Sequence, residues 1–278
     1  MKYKYIGFPM KDGCHVYGAD LGIEILNKHV KIDKIIEIDT DKDDLNNVIS
    51  SDTRLASYVH KTIDDGYIPV TLGGDHSLAI GTIAGASQSG EIGVIWFDTH
   101  PDCNTDKTTT TFNIHGYPLG ASMGFGKKEL TELYTPNTKV NYQNVVMFGI
   151  DDIDEPEKKL IEKYNIKNYP LSIIKEKGIE YCINDAINYL KNKVSRIHLS
   201  FDIDVINRNE CPGVNVPNRW NNGITKQEAL NAFKSFIKDL NITSIDIVEY
   251  NPKTDIENKS LNIVLQAIDT LEKTKDSK

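Results

Sequence analysis

Eight short apolar runs punctuate the chain, and the stretches between them alternate polar and apolar residues at helical spacing. The runs fall at residues 3–8, 34–38, 68–72, 92–97, 144–150, 166–169, 196–201 and 244–250. They are brief and rich in β-branched or aromatic residues, which predicts strands. Segments 43–64, 77–87, 155–164, 179–191, 225–239 and 261–272 carry the spacing of amphipathic helices. Ser77 and Thr225 read as N-caps, the latter with Glu228 completing a capping box. Alternation of the two element types predicts an α/β fold, a parallel sheet covered by helices on both faces. Residues 273–278 turn polar and read as a frayed tail.

Length and charge narrow the picture. At 278 residues the chain suits one large domain spanning 1–278. A net charge of −8 argues against a nucleic-acid or anionic-membrane partner, since either needs a basic face. Cys14, Cys103, Cys182 and Cys211 are scattered without a C-x-x-C pair, so neither a zinc finger nor a disulfide framework is indicated. Gly7 and Pro9 interrupt the amino-terminal segment before a signal-peptide core could form. No run approaches the ~18 apolar residues of a membrane span. The expectation is a soluble, cytoplasmic protein.

Chemistry concentrates where three of the runs end. Asp75-His76 follows 68–72, Asp98-Thr99-His100-Pro101-Asp102 follows 92–97, and Asp202-Ile203-Asp204 follows 196–201. In a parallel sheet, ligands gather at the carboxyl ends of strands, so the three clusters would share one crevice. Carboxylates crowded there repel one another unless a cation compensates them. An extended backbone would point Asp98, His100 and Asp102 to one side. With His76, Asp202 and Asp204 they make two imidazoles and four carboxylates, more than one tetrahedral zinc takes. Oxygen-rich ligation with some imidazole suits two divalent ions, manganese foremost. The plainer alternative is that these acids are strand-end turn residues and caps.

The same residues resemble the ureohydrolase family, which includes arginase, agmatinase and formiminoglutamase. Its motifs G-G-D-H-S, D-A-H-x-D, S-F-D-x-D and D-x-x-E read here as GGDHS, DTHPD, SFDID and DIVE, in the family's order. The resemblance implies a three-layer α/β/α sandwich on a mainly parallel, eight-stranded sheet, two Mn2+ ions per chain, and a homo-oligomer, often a trimer or hexamer. It implies that His76, Asp98, Asp102 and Asp202 bind one ion. His100, Asp98, Asp202 and Asp204 would bind the other, with Asp98 and Asp202 bridging. It further implies hydrolysis of a small guanidino substrate to urea and an amine, by attack of a metal-bridging hydroxide that Asp102 orients. His115, in FNIHGYP, would be the proton shuttle, and Glu249 would hold the guanidinium.

Arginine is the substrate expected first, giving ornithine and urea; agmatine is second and formiminoglutamate third. Asn104, Thr109, Thr111 and Asn113 match arginase positions for the α-carboxylate, and Asp154 and Glu157 match acidic positions near the α-ammonium. In a plainer reading, 108–111 is a solvated loop and the acids of 151–157 cap a helix. Three departures bear on the pocket. Val205 replaces the glycine after the last metal motif, Val216 replaces a threonine near the guanidinium, and Phe112 replaces a glycine and should narrow the carboxylate pocket. Outside this class, a two-metal phosphoesterase would need histidine-rich segments that the chain lacks. A non-catalytic metal-binding member is opposed by retention of all six ligands with His115 and Glu249.

Overall fold

The computed structural model describes residues 2–274. Among them, eight strands form one sheet: β1 Tyr3–Phe8, β2 Lys34–Ile35, β3 Ile68–Gly73, β4 Gly93–Phe97, β5 Val145–Phe148, β6 Lys167–Tyr169, β7 Ile197–Asp202 and β8 Ile242–Val248. Every pairing is parallel, in the order β2-β1-β3-β8-β7-β4-β5-β6. All eight expected strands are present, and the sheet is wholly rather than mainly parallel. The edge strand β2 stops at Ile35, the last residue in register with β1, and the Ile36 N–H makes one more bond to the Gly7 carbonyl.

The helices are α1 Gly22–Leu26, α2 Asp44–Asp64, α3 Ala79–Ala86, α4 Pro118–Ser122, α5 Lys128–Thr131, α6 Glu155–Tyr164, α7 Leu171–Lys177, α8 Ile179–Lys191, α9 Lys226–Asp239 and α10 Lys259–Thr274. The six expected from periodicity are α2, α3, α6, α8, α9 and α10. Lys273 and Thr274 still belong to α10, so a tail begins no earlier than residue 275, and residues 275–278 lie outside the described part. Thr225 caps α9 with Glu228 as expected. Ser77 is not a cap: the Asp75 carboxylate accepts the Ser77 N–H at 3.0 Å and caps a 3-10 turn, His76–Leu78, that leads into α3. No helix among the described residues is long and apolar enough to cross a membrane.

Strand alternation sorts side chains into two cores, one on each sheet face. In β4, Ile95 and Phe97 join a core with Ile187 of α8, Phe233 of α9 and Val264 of α10. Val94 and Trp96 join the other, with Leu55 of α2 and Ile83 of α3. Phe97 stacks on Phe201 with centroids 5.1 Å apart and meets Phe236 edge-on at 6.0 Å. Each such fully buried ring contributes about 1.5–3 kcal/mol.

Two adjacent strands, β7 and β8, break the apolar rule in a regular way. In β7, Leu199 and Phe201 enter the first core, while His198 and Ser200 are buried toward polar partners on the opposite face. His198 pairs with Ser244 at 2.8 Å and Asp246 at 3.0 Å, and Thr82 of α3 also donates to Asp246. Because all strands run one way, the carboxyl ends of the adjacent β3, β8, β7 and β4 open at one edge of the sheet, where ligands gather in such folds.

Candidate metal centre

Three strand ends deliver the acidic-histidine clusters to that edge. After β3, Asp75 fastens the turn: it accepts the Gly13 N–H at 3.0 Å as well as that of Ser77. A Cβ on Gly13 would lie 2.3 Å from an Asp75 carboxylate oxygen, so this approach requires glycine. The turn aims His76 into the site, where its ring stacks flat on Trp96 with centroids 4.1 Å apart. The indole Nε1–H of Trp96 donates to the His100 carbonyl at 3.1 Å, so one β4 residue braces both histidines.

The route by which Asp98, His100 and Asp102 converge differs from the extended one expected. β4 ends at Phe97, the chain bends, and Asp102 takes a left-handed conformation with φ +47°. Asp98 accepts the His100 N–H at 2.6 Å, which holds the bend closed. Asp202 ends β7 in extended conformation and caps a 3-10 turn, Ile203–Val205, that carries Asp204, whose N–H the Asp202 carboxylate accepts at 2.8 Å. Tight local hydrogen bonds, rather than strand pleating, aim these carboxylates.

The result is two overlapping donor groups. Single ligand atoms from His76, Asp98 and Asp202 all lie within 4.8 Å of one another, and so do atoms from Asp98, His100 and Asp204. Asp98 belongs to both. His76 Nδ1 faces three carboxylate oxygens, from Asp98 at 3.0 Å, Asp202 at 3.2 Å and Asp102 at 3.3 Å. His100 Nδ1 faces Asp204 at 2.9 Å.

These residues fit a pair of divalent cations. His76 Nδ1 and Asp98 Oδ2 are buried without a hydrogen-bond partner. The other imidazole nitrogen, His76 Nε2, is 2.8 Å from Ser200 Oγ, an arrangement that reserves Nδ1 for an ion. Burial and the neighbouring charges of Asp204 and Asp98 push the Asp202 carboxyl well above its usual range. Burial and Asp98 push Asp204 up to about 7. Burial opposes ionisation of Asp98 too, yet His100 and His76 hold it below the usual range. Such a crowd of buried acids gains stability from cations placed among them.

His115 and Glu249 meet beside these groups. Glu249 follows β8 with φ +68° and is buried. Its Oε1 accepts the backbone N–H of His76 at 2.7 Å and pairs with His115 Nδ1 at 2.9 Å, whereas Oε2 is buried without a partner. Burial alone would lower the His115 pKa; the Glu249 charge, with Cys14 beside the ring, outweighs burial and raises it well above the ordinary histidine range.

A cavity of about 240 Å³ runs outward from His100, Asp102, Asp202 and Asp204 past His115 and Glu249. Its outer wall includes Asn104, Thr111, Asn113, Asp154 and Glu157. Thr109 does not line it; its hydroxyl instead accepts the Phe112 N–H at 3.0 Å and shapes the loop. Asn104 donates to Asp154 at 3.2 Å. Glu157 uses both oxygens structurally, accepting from Cys103 N at 2.9 Å and from Asp154 N at 3.1 Å, and burial pushes its pKa up to about 8. The narrowing expected from Phe112 is absent. The ring is 68 % exposed and lies outside the lining, because φ +62° turns the residue away. That left-handed φ is one that glycine adopts without strain. Val216 does line the cavity.

Sequence reasoning missed Ser200, Trp96, Asp152 and Arg219. Ser200 had a signal, since polar residues at alternate positions of an apolar strand share a face. Arg219 had none. It sits in a polar loop after Val216, and its partners Asp152 and Asp154 belong to a distant segment.

Comparison with known proteins places this geometry among relatives. The sequence model of the Arginase family matches residues 13–271. The chain is 33% identical to an arginase of Bacillus caldovelox, over 96% of each chain. The crystal structure of arginase from Bacillus subtilis superposes with a TM-score of 0.90 at 33% identity, covering 98% of both chains. An Entamoeba histolytica arginase, solved in complex with L-ornithine, superposes with a TM-score of 0.86 at 30% identity, again over 98% of both.

Proposed function

The chain belongs to the arginase family, and from that premise we propose that it hydrolyses L-arginine to L-ornithine and urea. The observation that carries the reading is one cavity whose inner end reaches two overlapping groups of metal-type donors through His100, Asp202 and Asp204 and whose outer end is lined by Asn104, Thr111, Asn113 and Asp154. A guanidinium fits between them, and an amino-acid head fits the outer wall.

The metal ligands in this reading are His76, Asp98, Asp102 and Asp202 for one ion, and His100, Asp98, Asp202 and Asp204 for the other, with manganese favoured by their oxygen-rich, imidazole-containing set. When bound, two such cations supply Lewis-acid charge and make hydroxide available as a nucleophile at neutral pH. The side chains do the rest. Glu249 Oε2, lacking any protein partner, accepts a guanidinium N–H and turns the carbon toward the acids. The Asp102 carboxylate, 3.3 Å from His76 Nδ1 and on the cavity lining, is placed to orient the attacking oxygen.

Attack forms the new C–O bond, and the substrate's C–N bond then breaks. The departing nitrogen must gain a proton. His115, whose pKa Glu249 raises, carries one at neutral pH and delivers it as general acid. Because Nδ1 is engaged by Glu249, Nε2 is the delivering atom. The outer end would hold the head of the substrate, the α-carboxylate on Asn104, Thr111 and Asn113 and the α-ammonium on Asp154, with Thr109 and Glu157 shaping the wall. The reading extends to residues 1–278 as one domain, supported by length, to a cytoplasmic setting, supported by the amino-acid pattern, and to a homo-oligomer, a trimer or hexamer, supported by family resemblance.

The test is urea release by the manganese-loaded protein with arginine and agmatine side by side. Preference for arginine is expected. Preference for agmatine, or silence on both with two ions bound, would overturn the assignment of substrate.

A further inference from the structure

Arg219 stands at the rim of the cavity in a position that is built rather than incidental. Its Nε pairs with Asp152, and its Nη2 lies 3.2 Å from Asp154 Oδ1. Its own backbone N–H donates to Asp152 Oδ2 at 2.8 Å. The preceding Asn218 is buried and donates to Thr99 Oγ1 at 2.8 Å and to Asp151 Oδ2 at 3.0 Å. Thr99 lies between Asp98 and His100, and its carbonyl receives the N–H groups of Asp151 and Asp152. The Arg219 loop is therefore tied to the loop that carries the metal-type donors. Arg219 still lines the cavity, its side chain is 52% exposed, and Nη1 makes no hydrogen bond among the described residues.

The charges at this end decide what it can receive. Asp152 and Asp154 alone would place two negative charges at the mouth, an environment for an amine or a second cation. Glu157 adds little charge at neutral pH, since burial holds its carboxyl up at about 8. One guanidinium among these acids leaves an anion and a cation side by side. Asn104, Thr111 and Asn113 offer only neutral polar groups to a carboxylate, and charge-assisted hydrogen bonds are roughly twice as strong as neutral ones.

We infer that Arg219 is a specificity-determining residue that receives the α-carboxylate of a zwitterionic amino-acid substrate and disfavours a guanidine ending in a bare amine. The inference rests on the arginine reading above. Arg219 offers Nη1 to the carboxylate while it keeps Asp154 positioned for the α-ammonium. A substrate without the carboxylate leaves Nη1 without an acceptor and brings its amine beside a like charge, so discrimination gains a repulsive element beside the attractive one.

The experiment compares the manganese-loaded wild type with Arg219→Ala and Arg219→Lys. Urea release gives kcat and KM for L-arginine and agmatine, and calorimetry gives Kd for L-ornithine and putrescine. In Arg219→Ala, KM for arginine and Kd for ornithine should rise about tenfold or more, the loss of one charge-assisted contact. kcat for arginine should change little, and agmatine and putrescine should be unaffected or favoured. Arg219→Lys should recover part of the ornithine affinity. An unchanged ratio of arginine to agmatine, or a lower KM for arginine in Arg219→Ala, would overturn the inference; the latter would mean that Arg219 merely masks Asp154. Wild-type silence on arginine would instead sink the functional reading, and the ornithine–putrescine comparison would still report on Arg219.

Discussion

The inner and outer ends of the cavity are made of different material. At the inner end, His76, Asp98, Asp202 and Glu249 are buried and stand just beyond adjacent parallel strands. At the outer end, Thr111 and Arg219 are exposed and stand on loops whose contacts are side-chain hydrogen bonds and ion pairs. The sheet fixes the reacting end to within the tolerance of strand pairing, while loops set what the other end accepts. In the proposed reading, chemistry and selectivity are held by separate parts of the fold, and substitutions at the two ends should have different signatures.

Asp202→Ala should show the largest effect. It removes a donor from the inner end, so metal analysis should find fewer than two ions per chain. Turnover should fall by about 10³-fold or more, given several kcal/mol of transition-state stabilisation from the ions. Full two-ion occupancy in this variant would erase the distinction at its inner end. His115→Asn should leave both ions bound yet slow kcat by about 10²-fold or more, as expected for loss of a general acid. A rate equal to wild type would reduce His115 to a loop residue.

Ser200→Ala probes how far inward the rigidity reaches. It leaves every donor in place but frees His76 Nε2, and titration of the metal-free protein should show affinity for one ion weakened about 10–100-fold. If both ions bind as in the wild type, the hydroxyl does not hold the ring.

Glu157→Gln, at the residue that joins the two ends, should have the smallest effect on turnover, and its signature lies in how stability changes with pH. Below about pH 4.5 the carboxyl is neutral in folded and unfolded chains alike. Between there and about 8 the unfolded chain releases a proton that the folded protein keeps, so wild-type stability falls as pH rises. Glutamine does not titrate. The Tm of Glu157→Gln minus that of the wild type should therefore be larger at pH 8 than at pH 5, and a constant difference would refute the burial argument.

The same division explains what could be read from the chain. Inner-end residues follow apolar runs long enough to be recognised as strands, so His76, Asp98 and Asp202 were legible by position and type. Their conformations were not. The bend after Phe97 and the left-handed Asp102 come from local hydrogen bonds such as that of Asp98 to His100, which leave no periodicity. Helices α1, α4, α5 and α7 escaped for a related reason, since four to seven residues are too few to display an apolar stripe. The outward turn of Phe112 depends on one backbone angle. The clasp of Arg219 on Asp152 and Asp154 joins segments more than sixty residues apart through individual hydrogen bonds and ion pairs, and no spacing rule anticipates it.

The Glu249 hydrogen bond to the His76 backbone joins residues 173 positions apart in the chain. Between them, β4 and β7 must already lie between β8 and β5 for the remaining donors to arrive. No partial fold of this chain can therefore assemble the complete centre, and contacts of such long sequence separation form slowly. Cations that bind only the finished arrangement would pull the last step of folding toward completion by mass action. Such ions would act as a checkpoint on assembly, marking which molecules have closed the central four strands in register.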